Sequence, residues 1–390
     1  MIALALITDD DRRQAVELTR TLISVESHAE AVGHESSVGR FLKDWFDARG
    51  IAASLQSVVG ERSNVVARIP GGDGPSLMLN GHLDTVPAGE MSDAFAATID
   101  GAVLRGRGAC DMKGAVAAMC VTMAAVARAG TPLSGDLVFA GTIDEESGSL
   151  GVKALLDAGI RADYALVGEP TSLRIAVTHK GSCFVRIVLR GRGAHGSVPQ
   201  EGVNAVVAGA RLVSLLEGAY REKLAGRTHP LLGTATVNVG RLCGGTQPNI
   251  VAESCELEID RRLVPGEAGT VEEIRALVAS ICDPIAGLSY EVTEMPMTAV
   301  VPHVPLETPP AGSLVAAARD ACTTLGLPDD PIGVTYWSDG GHLSARGVET
   351  VVLGPGTIAH AHGPDDHVAI DDLHRAVELY THIAHRLLAA

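Results

Sequence analysis

Residues 136–170 read DLVFAGTIDEESGSLGVKALLDAGIRADYALVGEP. An apolar run at 136–140 leads into Asp144, Glu145 and Glu146, then a Ser-Gly-Ser turn and a helical pattern over 150–158. A second apolar run, 164–167, ends in another acid, Glu169. Short apolar runs bounded by turn residues read as strands buried on both faces. Their alternation with helices predicts an α/β fold around a largely buried sheet. The same texture extends outward. Helical patterns lie at 10–25, 36–49 and 112–129, and β-like runs at 64–69, 77–80 and 350–353.

Near residue 176 the texture changes. Over 183–190, Cys183, Val185, Ile187 and Leu189 alternate with a side carrying Arg186 and Arg190, which is the pattern of a strand with one open face. Helical patterns at 202–217 and 270–281 and β-like runs at 234–240, 255–262 and 288–292 complete a small α+β unit. After the Pro-rich stretch 296–310 the helix–strand alternation resumes and runs to the end. This predicts one domain inserted in another: 1–175 with 294–390 outside, and 176–293 inside.

The 390 residues suit two domains, and a hydrophobic fraction of 46% is enough for a sizeable core. Lys+Arg 31 against Asp+Glu 47 gives a net charge of −16, which argues against nucleic acid or an anionic membrane as partner. Twelve aromatic residues (Trp 2, Tyr 5, Phe 5) argue against stacking on bases. Seven cysteines without a CxxC pair predict neither a disulfide framework nor a cysteine zinc site, and favour a reducing, cytoplasmic setting. The opening MIALALITDDD has no basic leader, so no signal peptide is expected, and the longest apolar run, 115–127, is too short to span a bilayer.

Five groups carry chemistry. His82 and Asp84 follow the apolar run 77–80, and alternate strand positions point the same way. They read either as a ligand imidazole with its orienting carboxylate or as an ordinary strand end. Asp111, in GRGACDMKG before a helix, reads as an inward acid or an N-cap. Asp144, Glu145 and Glu146 need a cation if buried and are a solvated turn if exposed. Glu169 closes the run 164–167, and the loop GPGTIAHAHGPDDH offers His360, His362 and His367. Together these acids and imidazoles stand at the ends of successive buried strands, where sites assemble in open α/β sheets. Mixed His and carboxylate donors suit Zn²⁺, with Co²⁺ or Mn²⁺ able to replace it. Five candidates exceed the needs of one zinc and suggest two divalent ions about 3.5–4 Å apart.

At these residues the chain resembles the M20 metallopeptidase family, which includes acetylornithine deacetylase, succinyl-diaminopimelate desuccinylase, aminoacylase and carboxypeptidase G. The resemblance spans essentially the whole chain, through GHLDTVPAG, GRGACDMKGA, TIDEESGS, VGEPT, GAHGSVP, GGTQPNIV and GPGTIAHAH. It implies a three-layer α/β/α zinc-peptidase-like domain with an inserted ferredoxin-like lid and dimerisation domain. It further implies that His82, Asp111 and Glu169 hold one metal and that Asp111, Glu146 and His362 hold the other. Asp84 would orient His82, and Glu145 would be the general base. The Asp111–Met112 bond would be cis. His195 would reach the partner subunit's site and stabilise the oxyanion, while Asn249 and Arg262 would bind substrate, with Arg261 or Arg262 turned inward according to register. His362 is preferred to its neighbours because it precedes Gly-Pro-Asp. VGEPT, THKG, EGVNAV and AHGPD lean toward the acetylornithine deacetylase side, so the implied reaction is deacylation of an N-acyl amino acid by a homodimer. A dipeptidase or carboxypeptidase of the same family is the alternative.

Three rivals are weaker. GRGAHG at 191–196 matches GxGxxG, but its strand alternates and Pro199 interrupts the expected helix start, which argues against a dinucleotide module. GxSxG and HExxH are both absent. A silent metal-binding scaffold should lack a base or a ligand, and none is missing.

Overall fold

A computed structural model describes residues 6–390; the first five residues, at the start of MIALALITDDD, lie outside the described residues. The chain forms two compact units. One combines the residues up to Thr178 with Leu306–Val334 and Ser338–Ala390; the other combines His179–Pro305 with Thr335–Trp337. The second unit therefore extends past the expected end at 293. The reason is packing on strand Gly181–Arg190: Phe184 N donates to Thr298 Oγ1, Met295 N to Phe184 O, and Ser182 N to His303 O.

The first unit is built on a nine-stranded sheet. Its order is Ala52–Val59, Arg62–Ile69, Leu137–Thr142, Leu77–His82, Tyr164–Val167, Glu349–Val352, Ala176–His179 and Leu306–Glu307, with Ile332–Val334 paired to Ala176–His179. The four central strands from Leu137–Thr142 to Glu349–Val352 run parallel. They are buried on both faces, which explains why they read as continuous apolar runs. Leu77, Leu79, Phe139, Leu166 and Val351 join one core with helices Gly114–Ala129 and Ile370–Leu388. The opposite face is covered by helices Leu150–Asp157 and Gly340–Ala345, so the unit has three layers. The apolar segment is longer than the sequence reading set it. Ala109–Ala129 spans 21 residues, long and apolar enough to cross a bilayer, yet it is almost wholly buried inside the protein. It is a core helix. Glycines let it approach the sheet: a Cβ on Gly81 would meet Met112 and Val116.

The second unit is a four-stranded antiparallel sheet ordered Thr236–Gly244, Ser254–Leu263, Gly181–Arg190, Ser289–Glu294. Helices Ala205–Leu215 and Thr270–Cys282 cover one face, around Val185, Ile187, Leu212, Ile259 and Val278. Strand–helix–strand–strand–helix–strand in this order is the ferredoxin-like arrangement. The other face is open and carries the linked charges of Arg186, Arg241, Glu256 and Glu258.

Candidate metal centre

Parallel strands end at the same edge of a sheet, so residues just beyond them converge. His82 lies level with Thr142, and Asn80 with Val167. The chain segments that follow bring Glu145, Glu146 and Glu169 beside His82, all in the first unit. Asp111 enters from the turn ahead of helix Gly114–Ala129, where the Asp111–Met112 bond is cis and Gly108 has φ +83°. His362, with φ +61°, comes from the loop beyond strand Glu349–Val352.

Asp111 stands between two imidazoles and offers one oxygen to each. Its Oδ1 is 2.9 Å from His82 Nε2 and its Oδ2 is 3.2 Å from His362 Nε2. Glu169 Oε1 is 3.7 Å from His82 Nε2, and Glu146 Oε1 is 3.1 Å from His362 Nε2. The donor atoms of His82, Glu145 and Glu169 lie within 4.8 Å of one another, as do those of His82, Asp111 and Glu146. His82, Asp111 and Glu169 are buried and Glu145 and Glu146 half-buried, whereas the His362 side chain is 52% exposed. His360 and His367 stack on each other at 3.9 Å, and His367 Nδ1 bonds Asp365 O. His362 is thus the imidazole of this loop that meets the acids.

Crowding shows in the acidities. Burial raises the carboxyl pKa of Glu145, with repulsion from Glu169 and Glu146 added. Burial also raises Glu146, and burial with the neighbouring Asp111 raises Glu169. Burial opposes charge on Asp111 too, but hydrogen bonds from His362 and His82 win and hold it well below the usual carboxylate range. Asp111 and Glu146 push His362 up to about 10. Several carboxylates buried this close stay ionised together only beside compensating positive charge. Two imidazoles and four carboxylates, with one carboxylate placed between two donor sets, fit a pair of divalent ions.

One expected contact is different. The Asp84 carboxylate is 3.7 Å from His82 Nδ1, which instead bonds the Asp84 carbonyl at 2.9 Å. The Asp84 oxygens accept from Glu145 N at 3.2 Å and Glu146 N at 3.0 Å. Asp84 orients His82 through its backbone and the two glutamates through its side chain. Sequence reasoning missed Asp339, which is buried, accepts from Thr142 Oγ1 at 2.8 Å, and is pushed up to about 7 by burial. Among the described residues its Oδ1 has no hydrogen-bond partner, and its charge acts on Glu145. The available signal was an acid before Gly-Gly at a helix start.

His195, Asn249 and Arg262 belong to the second unit. His195 pairs with Ile250, its Nδ1 is 2.7 Å from Ser197 Oγ, and Gly196 N donates to Asn249 O. His195 and Asn249 therefore adjoin. Arg262 lies level with Ser182, at the far end of strand Gly181–Arg190 from the His195 loop. Register separates the two arginines. Arg261 is fully buried on the helix-covered face, bonded to Tyr220 Oη and Glu267, whereas Arg262 is on the open face, 3.0 Å from Asp260 Oδ1.

The profile of peptidase family M20/M25/M40 matches residues 78–386. Over 384 residues the chain is 31% identical to acetylornithine deacetylase of Pectobacterium carotovorum, covering 95% of this chain and 97% of that protein. Among solved structures, a tripeptidase from Staphylococcus aureus superposes with TM-score 0.80 at 23% identity, over 95% of this chain and 97% of the other. A dinuclear metal-binding M20 peptidase from Bacillus subtilis superposes with TM-score 0.72 at 19% identity, over 97% and 98%. The three-layer architecture is the one those structures share, and the matched span runs from the strand before His82 to beyond His362: this chain belongs to peptidase family M20/M25/M40.

Proposed function

We propose that this protein is a dinuclear metal-dependent amidohydrolase that removes the acyl group from an N-acyl amino acid. The observation that carries the reading is Asp111, with one oxygen toward His82 and Glu169 and the other toward His362 and Glu146. Those two sets would hold the ions, with zinc suited to the donors and cobalt or manganese acceptable. Bound there, the ions would supply Lewis acidity and make a water acidic near neutral pH. Glu145 is the base: it takes the proton of the attacking water and passes it to the leaving amine nitrogen. Asp84 holds Glu145 and Glu146 by their backbones while this happens.

The second unit is assigned the lid and dimer contacts. Its outer strand Thr236–Gly244 leaves one edge open, with Leu242 46% exposed, and an open edge supports pairing with another copy. His195 is assigned to the oxyanion, and Asn249 and Arg262 to the substrate, Arg262 through its carboxylate, for which a guanidinium is apt. The 31% identity to an acetylornithine deacetylase supports the choice of deacylation. The test is a panel of N-acetyl amino acids, other N-acyl amino acids, dipeptides and tripeptides, with Zn²⁺- or Co²⁺-loaded protein and free amine as the readout. The expected result is turnover of N-acyl amino acids above that of peptides. Peptide turnover alone would move the assignment to a peptidase, and no turnover at all would overturn it.

A further inference from the structure

Arg107 and Asp366 form an ion pair sealed inside the first unit, with side chains 2% and 1% exposed and Nη1 3.2 Å from Oδ2. Their remaining hydrogen bonds go to backbone. Arg107 Nε donates to Pro87 O, and Nη2 donates to Ala88 O and Gly363 O, each at 3.1 Å. Asp366 Oδ2 accepts from Gly108 N at 2.7 Å, and Oδ1 from Cys110 N at 3.0 Å. Two of these backbone groups adjoin residues of the centre, since Cys110 precedes Asp111 and Gly363 follows His362; Gly108 lies in the same turn as Asp111, and Pro87–Ala88 lie in the segment after Asp84.

A buried ion pair gains little net stability once its desolvation is counted, so its worth lies in what it orders. Here it orders three loops at once. Asp111 has other anchors, since it leads directly into the core helix Gly114–Ala129. His362 has fewer. It is half exposed at a positive φ, on a loop whose next regular element, His367–Ala369, is a three-residue strand paired to Val103–Arg105. We infer that the Arg107–Asp366 pair is a positioning device that holds His362 opposite Asp111 and so forms the second of the two metal sites. The His82, Asp111 and Glu169 set does not depend on it.

This inference rests on the dinuclear reading above, and the test separates the two. Metal-free full-length protein is titrated with Co²⁺, followed by calorimetry and visible absorption. Wild type is expected to take two equivalents. Asp366→Asn and Arg107→Lys are expected to keep the first at wild-type affinity and to weaken the second at least tenfold. Arg128→Met is the control for lost stability alone. It breaks the Arg128–Asp11 pair at the opposite end of helix Gly114–Ala129 from Asp111 and should leave both equivalents intact. An unchanged second equivalent in the Asp366 and Arg107 variants, equal weakening of both equivalents, or the same selective loss in Arg128→Met overturns the inference. Fewer than two equivalents in wild type overturns the dinuclear reading, and this one with it.

Discussion

Glu145 is held by its backbone, which leaves its carboxyl group free to exchange a proton. Its N–H is tied to Asp84, and its acidity is weakened by burial and by Glu169. Replacing the carboxyl by an amide keeps the shape and removes the proton acceptor. Glu145→Gln is therefore expected to keep both metals, by elemental analysis, while kcat falls about 10²–10⁴-fold. Normal kinetics in that variant would remove Glu145 from its role. At this scale the meeting of His82, Glu145, Glu146, Glu169 and His362 was legible because acids and imidazoles followed successive strands. The true target of the Asp84 carboxylate was not, because it is a pair of backbone N–H groups, which no side-chain spacing encodes. Asp339 was hidden for a similar reason: it reaches the centre across the sheet, through Thr142.

The core helix and the parallel strands set the frame in which those residues meet. Gly168, between strand Tyr164–Val167 and Glu169, lies against that helix. A Cβ there would come within 2.7 Å of Met112 Cε and 2.8 Å of Ala115 Cβ. The methionine can yield, but Ala115 is fixed to the helix. Gly168→Ala is expected to cost about 1–3 kcal/mol, read as a lower urea midpoint at unchanged slope. The buried strands were easy to read: 164–167 matches Tyr164–Val167, and 150–158 nearly matches Leu150–Asp157. Strand Ala52–Val59 was missed. It is the outer strand of its sheet, exposed or half-exposed throughout, and so carries no continuous apolar run. The segment Thr335–Trp337 was missed too, since its membership of the second unit comes from contacts such as the His303–Trp337 stack at 3.9 Å.

Acid sensitivity belongs to the molecule as a whole, and one histidine away from the centre contributes to it. Burial pushes His342 down to about 4 in the folded chain, against 6.5 for the unreacted side chain. Above pH 6.5 both states hold it neutral and the full stability is present. As pH falls from 6.5 through 4, the unfolded chain takes up a proton that the folded chain refuses, and stability drops by up to about 3 kcal/mol. His342→Gln should flatten this part of the profile in urea unfolding with chelator present, so that metal loss does not contribute. Equal slopes for both proteins would contradict the assignment. The insertion carries a further consequence, which lies in time. Strands Ala176–His179 and Leu306–Glu307, where the chain leaves and returns, are neighbours in one sheet, with Thr178 Oγ1 bonded to Leu306 O. Every residue of the His82 set has been synthesised once residue 169 is made, but His362 follows only after an entire second folding unit. A nascent chain thus carries its four clustered acids without His362 through much of its synthesis, and the cluster is completed among the last steps of becoming a protein.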